Sequence, residues 1–306
     1  MLNYSRINKR NYKFLDDLFN LSSDNHEFGI AYPRGDLEDI ISEFEDYDQK
    51  FDESFYIVRN NKKDIGIIGY IVEEKDILLV GPIFEKKYHK KEIFSELLPK
   101  FIKNEIPIYS DRVIVYVINE NKEMINALKQ IGFNEKTKHL SMSYDVDQFL
   151  SDEKFNMESI KDISQEDIND LKEIRILFEE NMPYEIDDTV NKFLEYLEDN
   201  YKISVLTVDD KLVGFIVWKW YNDLHFGRID YLCVDKAYQK KGHGKKLVDY
   251  TINEICKVKI DTTHSKVEFN LLHIGLSQSN FLALKVYTNL GFKIDYFYSE
   301  YEFKIY

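Results

Sequence analysis

The chain has 306 residues, with 41 Lys and Arg against 55 Asp and Glu, a formal charge of −14 at pH 7, and 44% hydrophobic residues. That is enough chain for two ordinary domains with separate cores, and it is too acidic for a general nucleic-acid binder, which needs a cationic footprint. With five Pro, 22 Tyr and 21 Phe it reads as globular, with ample aromatic surface for cores and pockets.

The opening stretch "MLNYSRINKRNYKFLDDLF" has basic residues but no apolar core of a signal peptide. No run of 18 apolar residues follows anywhere, so no membrane span is expected and a cytoplasmic location is. Cys233 and Cys256 lie in a strand pattern and a helix pattern, outside any Cys-x-x-Cys or Cys/His spacing. Two buried thiols in a reducing compartment are expected, and no metal site.

Sliding the chain on itself by about 150 residues brings "VDKAYQKKGHGKKL" (234–247) onto "FEKKYHKKEIFSEL" (84–97). At slightly different offsets "KLVGFIV" (211–217) resembles "GIIGYIV" (66–72), and "NFLALKVYTNLGF" (280–292) resembles "NKEMINALKQIGF" (121–133). The pairs keep their order in each half, which indicates an internal duplication. The expected domains are residues 1–150 and 151–306, with the boundary in the acidic stretch 145–159. No Gly/Ser linker separates them, so close packing of the halves is expected.

Each half reads as a short strand, one or two helices, a run of strands, then strand–helix–strand–helix–strand, an α/β (α+β) pattern. In the second half "MESIKDIS" is a weak strand and "EDINDLKEIRILFEEN" has helical apolar spacing, as does "TVNKFLEYLEDN". "KISVLTVDDKLVGFIVWKWYND" is a pair of strands joined at "DDK", and "HFGRIDYLCV" is the next strand. "GKKLVDYTINEICKV" is a helix, "KVEFNLLHIGL" a strand, and "SNFLALKVYTNL" a helix closed by Gly291. "FKIDYFYSEYEFKIY" alternates as a strand and is expected to close the second sheet.

The chemistry concentrates at "QKKGHGKK", the turn between the strand ending in "LCV" and the following helix. A helix start has unpaired backbone N–H groups and the positive end of the helix dipole, a site for phosphate. Gly242 and Gly244 remove side chains from the approach, and Lys240, Lys241 and Lys245 add local charge to an acidic chain. A Walker A loop would need Gly at 239 and Ser or Thr at 246, where Gln239 and Lys246 stand. A dinucleotide fingerprint would need a third glycine at Leu247.

"QKKGHG" after that strand, with "NFLALKVYTNLGF" (Asn280, Ala283, Tyr287, Gly291, Phe292) in the expected order and spacing behind it, resembles the GNAT superfamily of N-acetyltransferases. The resemblance covers 156–306 well and the first half more faintly. It implies two tandem GNAT-like domains, each a mixed, mostly antiparallel twisted sheet flanked by helices, and acetyl-coenzyme A (acetyl-CoA) as co-substrate. By the same resemblance acetyl-CoA lies where the strands at 227–234 and 266–274 part. Backbone groups of Leu232 and Val234 would contact its arm, and those of Gln239, Lys240, Lys241, Gly242, His243, Gly244 and Lys245 its pyrophosphate. Asn280, with Ala283 beside it in the motif, would hold the pantetheine side, and Tyr287 would protonate the leaving thiolate. Asp230 would take the amine proton or else pair with a nearby cation, with His225 and Glu268 as further candidates for the base. The acceptor implied is a small amine or a peptide N-terminus. The loop "FEENMPYEIDD" (178–188), carrying Glu179, Glu180, Glu185, Asp187 and Asp188, would steer a cationic amine or simply be a solvated charge run. Trp218, Trp220 and Tyr221 would wall the acceptor pocket or pack the strand's faces.

In the first half the matching turn is "HKKEIFSE": Glu92 stands for Gly242, Phe94 for Gly244 and, in the later helix, Leu128 for Tyr287. Asn121 and Gly132–Phe133 persist. That half is expected to keep the fold without binding the co-substrate, as in tandem GNAT enzymes. A non-catalytic acyl-CoA-binding sensor or interaction module is the rival reading.

Overall fold

The computed structural model describes residues 2–33, 35–107, 109–148, 159–182, 189–221, 226–260 and 271–305. The chain divides into two compact units, one made of Met1–Leu140 with Tyr296–Tyr306 and the other of Ser141–Asp295.

The first unit begins with β1 (Leu2–Arg6), α1 (Tyr12–Asp24), α2 (Leu37–Asp46) and the short α3 (Phe51–Ser54). Asp36 starts α2 as an N-cap, its carboxylate accepting from the N–H of Glu38 and Asp39 at 2.8 and 3.1 Å. Then come β2 (Phe55–Asn60), β3 (Lys63–Glu73), β4 (Asp76–Phe84), α4 (Lys91–Glu105), β5 (Arg112–Ile118), α5 (Lys122–Gln130) and β6 (Asn134–Asp145). β1 to β4 are antiparallel neighbours in order, and β4 pairs in parallel with β5 over Asp76–Leu78 and Arg112–Ile114. The core is aromatic: Phe19, Phe44, Phe55, Phe84, Phe94 and Phe101 are fully buried together with Leu15.

The second unit contains β7 (Ile160–Ile163), α6 (Ile168–Asn181), α7 (Thr189–Glu198), β8 (Lys202–Val208), β9 (Lys211–Tyr221), β10 (Phe226–Val234), α8 (His243–Ile260), β11 (Leu271–Ser277) and α9 (Phe281–Leu290). Its sheet runs β11-β10-β9-β8-β7, antiparallel except for the parallel pair of β10 with β11. Asp209 and Asp210 both have positive φ, 50° and 61°, so the "DDK" turn has the left-handed pair that matches strand twist in a tight hairpin. One face of the sheet packs on α6 and α7, through Phe178, Phe193 and Phe215. The other meets α8: a Cβ on Gly214 would lie 3.2 Å from Leu247.

The last strand, β12 (Lys293–Lys304), does not follow the reading in which it closes the second sheet. From Tyr298 to Lys304 it pairs antiparallel with Ile118–Arg112 of β5, so residues 296–306 complete the first unit. The reason lies in what it carries inward. Tyr301 is 1% exposed in the first core, and the buried Glu302 carboxylate meets Arg112 at 3.1 Å and Lys136 at 3.5 Å. Ser299 donates to Glu135 at 2.8 Å. Alternation marks a strand but does not name its partner.

Candidate functional site

β10 and β11 pair only over Phe226–Ile229 and Leu271–Ile274. β10 then continues to Val234 on β9 alone, and among the described residues the strands are unpaired past that point. The parting coincides with a bulge. Ile229 faces Trp218 and Tyr231 faces Val217, so Asp230 is the extra residue. A bulge resets alternation, and Tyr231 now packs on Phe178, Phe193 and Tyr196 while Asp230 turns to Arg228. The N–H of Asp235 donates to Val213 on β9 at 2.9 Å. By the two-residue alternation of a strand, the peptide groups of Leu232 and Val234 point the other way, into the gap.

The turn after β10 is built from Lys240 and Gly242, with φ of 61° and 88°, and α8 starts at His243. Lys246 N–H donates back to Gly242 O at 3.0 Å, so the amides of His243, Gly244 and Lys245 precede the first intrahelical donor. Gly242 is required by its backbone angle, since a Cβ there would meet nothing within 4 Å. At Gly244 a Cβ would meet Leu232 and Val234 side chains only at an ordinary 3.9 Å. The protein itself therefore has little need of glycine at 244, and the space in front of its amide suits a ligand that approaches backbone closely.

The side chains of this turn divide into braces and free charge. Gln239 donates to Val234 O at 2.9 Å, tying the turn to the strand end. Lys241 donates to Ala237 O at 2.9 Å, and its ammonium lies 4.9 Å from the Tyr238 ring centroid. Lys245 pairs with Asp249 along α8, while Lys240 is exposed. His243 is held below the usual histidine range by partial burial and by Lys241 and Lys246, which favours a neutral ring at the helix start.

Asn280 caps α9, its side-chain oxygen accepting from Ala283 N–H at 3.1 Å, which leaves its amide hydrogens and one oxygen lone pair for a ligand. Tyr287 is 1% exposed, edge-on to Phe292 at 5.1 Å, and its buried hydroxyl has no hydrogen-bond partner among the described residues. Burial alone raises its pKa far above the ordinary tyrosine value, so it stays protonated. A buried hydroxyl left unpaired costs about 1–3 kcal/mol and calls for a partner that the described residues do not supply. The amides of 243–245 and the open approach at Gly244 suit a phosphate-like anion, while the Tyr287 hydroxyl is fully enclosed.

Asp230 is 19% exposed at its side chain, with Arg228 Nε 3.0 Å away. Burial lifts its pKa above the usual aspartate range, while Arg228 and a hydrogen bond from Tyr201 pull the other way. Of the two sequence readings of this residue, the ion pair with a nearby cation is present, with Arg228. Trp218 is buried with its N–H on Ser204 Oγ at 3.1 Å, and Trp220 lies against Gly227; both pack the sheet. His225, Glu268, residues 183–188 of the acidic loop and most of the expected boundary at 145–159 lie outside the described residues. Cys233 is buried, its thiol pushed up to about 12 by burial, and Cys256 is half-buried. No group of metal-ligating side chains occurs among the described residues, and no described helix is long and apolar enough to cross a membrane.

Sequence reasoning missed Tyr201, Lys219 and Arg228 around Asp230. Part of the signal was present in the "DDK" hairpin, whose register sets Tyr201 beside Lys219, while Lys219 meets Arg228 through the separate pairing of β9 with β10.

The equivalent place in the first unit is filled from within. β4 and β5 also part after Leu78–Ile114, but Ile30 bridges to Val117 there and Ala31 N–H donates to Tyr116 O at 2.9 Å. The N–H of Lys91, at the start of α4, donates to the Glu123 carboxylate at 2.7 Å, so a side-chain anion sits at the helix start. Phe94 is fully buried against Phe84 and His89 at 5.0 Å. His89 bonds Asn121 Oδ1 at 2.8 Å while Asn121 Nδ2 donates to Gly29 O, which makes His89 the Nε2–H tautomer.

Residues 199–294 match the family model described as an acetyltransferase (GNAT) domain. Among solved structures, a GCN5-related N-acetyltransferase from Sphaerobacter thermophilus superposes with a TM-score of 0.73 at 11% identity, covering 99% of this chain and 95% of that one. A tandem GNAT protein from the clavulanic acid biosynthesis pathway matches at 0.64 and 8% identity over 99% and 98% of the two chains. A GNAT-family acetyltransferase from Colwellia psychrerythraea matches at 0.59 and 11% identity over 99% and 100%. No curated protein matches the sequence. At these identities the structural likenesses establish the fold, and it is that of GNAT proteins over nearly the whole chain.

Proposed function

Since this chain has a GNAT acetyltransferase domain in its second unit and the fold of a tandem GNAT protein throughout, we propose that it transfers an acetyl group from acetyl-CoA to a primary amine, by direct attack in a ternary complex. The observation that carries this reading is the parting of β10 from β11 after Ile229, with the peptide groups of Leu232 and Val234 turned into the opening. The amides from Gln239 to Lys245 hold the pyrophosphate and Asn280 the pantetheine side. Acetyl-CoA supplies an activated acyl carbon and a thiolate leaving group.

The chain's own residues then handle protons. Asp230 takes one from the attacking amine, directly or through water, and its raised pKa makes its carboxylate a stronger base than that of an exposed aspartate. As the C–N bond forms and the C–S bond breaks, the Tyr287 hydroxyl donates to the departing sulfur. Its own raised pKa is matched by the raised basicity of a thiolate in the same dry surroundings. The first unit is a fold-only partner: Glu123, Phe94 and the 28–31 segment stand where a diphosphate and pantetheine arm would enter.

A calorimetric titration with acetyl-CoA, followed by a thiol-release assay across an amine panel, tests this reading. One site per chain and release of coenzyme A matched by N-acetyl product are expected. Tight binding with no turnover on any amine would favour a sensor, and two equivalent sites would overturn the role given to the first unit.

A further inference from the structure

On the α6/α7 face of the second sheet a row of side chains crosses from strand to strand. Lys202 pairs with Trp218, which places Tyr201 beside Lys219; Lys219 pairs with Arg228, and Arg228 with His273. Cations directly opposite each other in a sheet repel, and Lys219 with Arg228 is such a pair. Asp230 offsets Arg228, with Nε 3.0 Å from Oδ1, and Asp295 approaches His273 at 3.7 Å. The Lys219 ammonium acts on Asp230 only at longer range. It lies 4.8 Å from the ring centroids of both Tyr201 and Tyr221 and has no carboxylate within ion-pair distance among the described residues. Tyr201 is buried, and Lys219 and Arg228 are half-buried, so their charges are poorly screened by water.

The position of this row matters. Arg228–His273 is the last pair but one before the strands part, so the cations stand next to the opening where the acyl carbon is read to lie. Building on the transferase reading, we propose that the acceptor carries a carboxylate on the same small molecule as its amine: an amino acid or other aminocarboxylate. Lys219 binds the carboxylate, and Tyr201 and Tyr221 hold the ammonium over their faces when the site is empty of acceptor. The amine then falls beside Asp230, which pairs with Arg228. Such an acceptor accounts for a sheet that spends two adjacent cations and one carboxylate on a half-buried surface.

Matched acceptors test this: each of several amino acids against its carboxamide, and an ω-amino acid against the alkylamine of equal length, read by thiol release and by the mass of the product. In the wild type kcat/KM for the acid-bearing member is expected to be higher by about tenfold or more, the scale of one charge-assisted contact. Lys219→Met should bring that ratio close to one and Lys219→Arg should preserve most of it, with coenzyme A binding reporting on the fold of each variant. Equal or faster turnover of the amides and alkylamines overturns the inference while leaving the transferase reading intact, as does a preference that survives Lys219→Met. Turnover of no amine at all removes the transferase reading and this inference together.

Discussion

Tyr287 is a residue whose stability and function pull apart. Its hydroxyl is buried and unpaired, so deleting it removes a desolvation cost and one hydrogen-bond donor at once. Tyr287→Phe is therefore expected to raise the unfolding free energy by about 1 kcal/mol in denaturant melts. Over the same substitution kcat should fall by about 10²-fold, the scale of a general acid. A variant that is both as stable and as active as wild type would remove the hydroxyl from the mechanism. Asp230 offers a second measurement. A base must be ionised, so kcat/KM should be flat above the Asp230 pKa and fall as pH drops through it, at a pH above the ordinary aspartate range because burial dominates. Arg228 lowers that pKa, and Arg228→Met should move the acid limb to higher pH. An acid limb that stays put assigns the titration to another group.

At the scale of elements, the start of α8 separates two uses of glycine. Gly242 has φ of 88° and Gly244 has no such constraint, while a Cβ at 244 would make only van der Waals contact with Leu232 and Val234. Gly242→Ala should cost about 1 kcal/mol of stability through its left-handed backbone. Gly244→Ala should leave the melting temperature nearly unchanged yet weaken acetyl-CoA binding, which a titration beside a thermal melt will show. These elements were legible in the sequence because they are local: "QKKGHG" after "LCV", "DDK" between strands, and Asn280 with Gly291 at the ends of one helix. What was not legible is what distant segments bring to them. Nothing near Lys91 announces that Glu123 reaches its N–H, and nothing near Val117 announces Ile30. Glu92 and Phe94 signalled that the first turn had changed, but only packing shows Phe94 and His89 filling the space. Likewise Asp230 was visible as a strand acid, whereas its setting among Tyr201, Lys219 and Arg228 depends on a bulge that shifts the pairing register by one residue.

For the whole molecule, the duplication read from sequence is matched by two compact units, but the chain is not cut where the repeats are. It passes from the first unit to the second inside β6 and returns inside β12. A fragment of residues 1–150 therefore lacks the strand that covers β5, although it holds every repeat motif of its half. Expressed alone, it is expected to aggregate or to lack a cooperative thermal transition by circular dichroism. Addition of a peptide spanning 293–306 should restore some of its structure. A soluble, cooperatively melting 1–150 fragment would show that β12 is dispensable to that unit.

The route of β12 also fixes a sequence of events during synthesis. Translation delivers β5, with its "RVIVYVI" run, long before residues 296–306 emerge, and the ribosome must add the whole of the second unit in between. Throughout that interval a strongly apolar edge lacks its neighbour, the kind of edge to which other nascent chains adhere. The half that is made first is thus completed only after the second, once residues 296–306 have emerged.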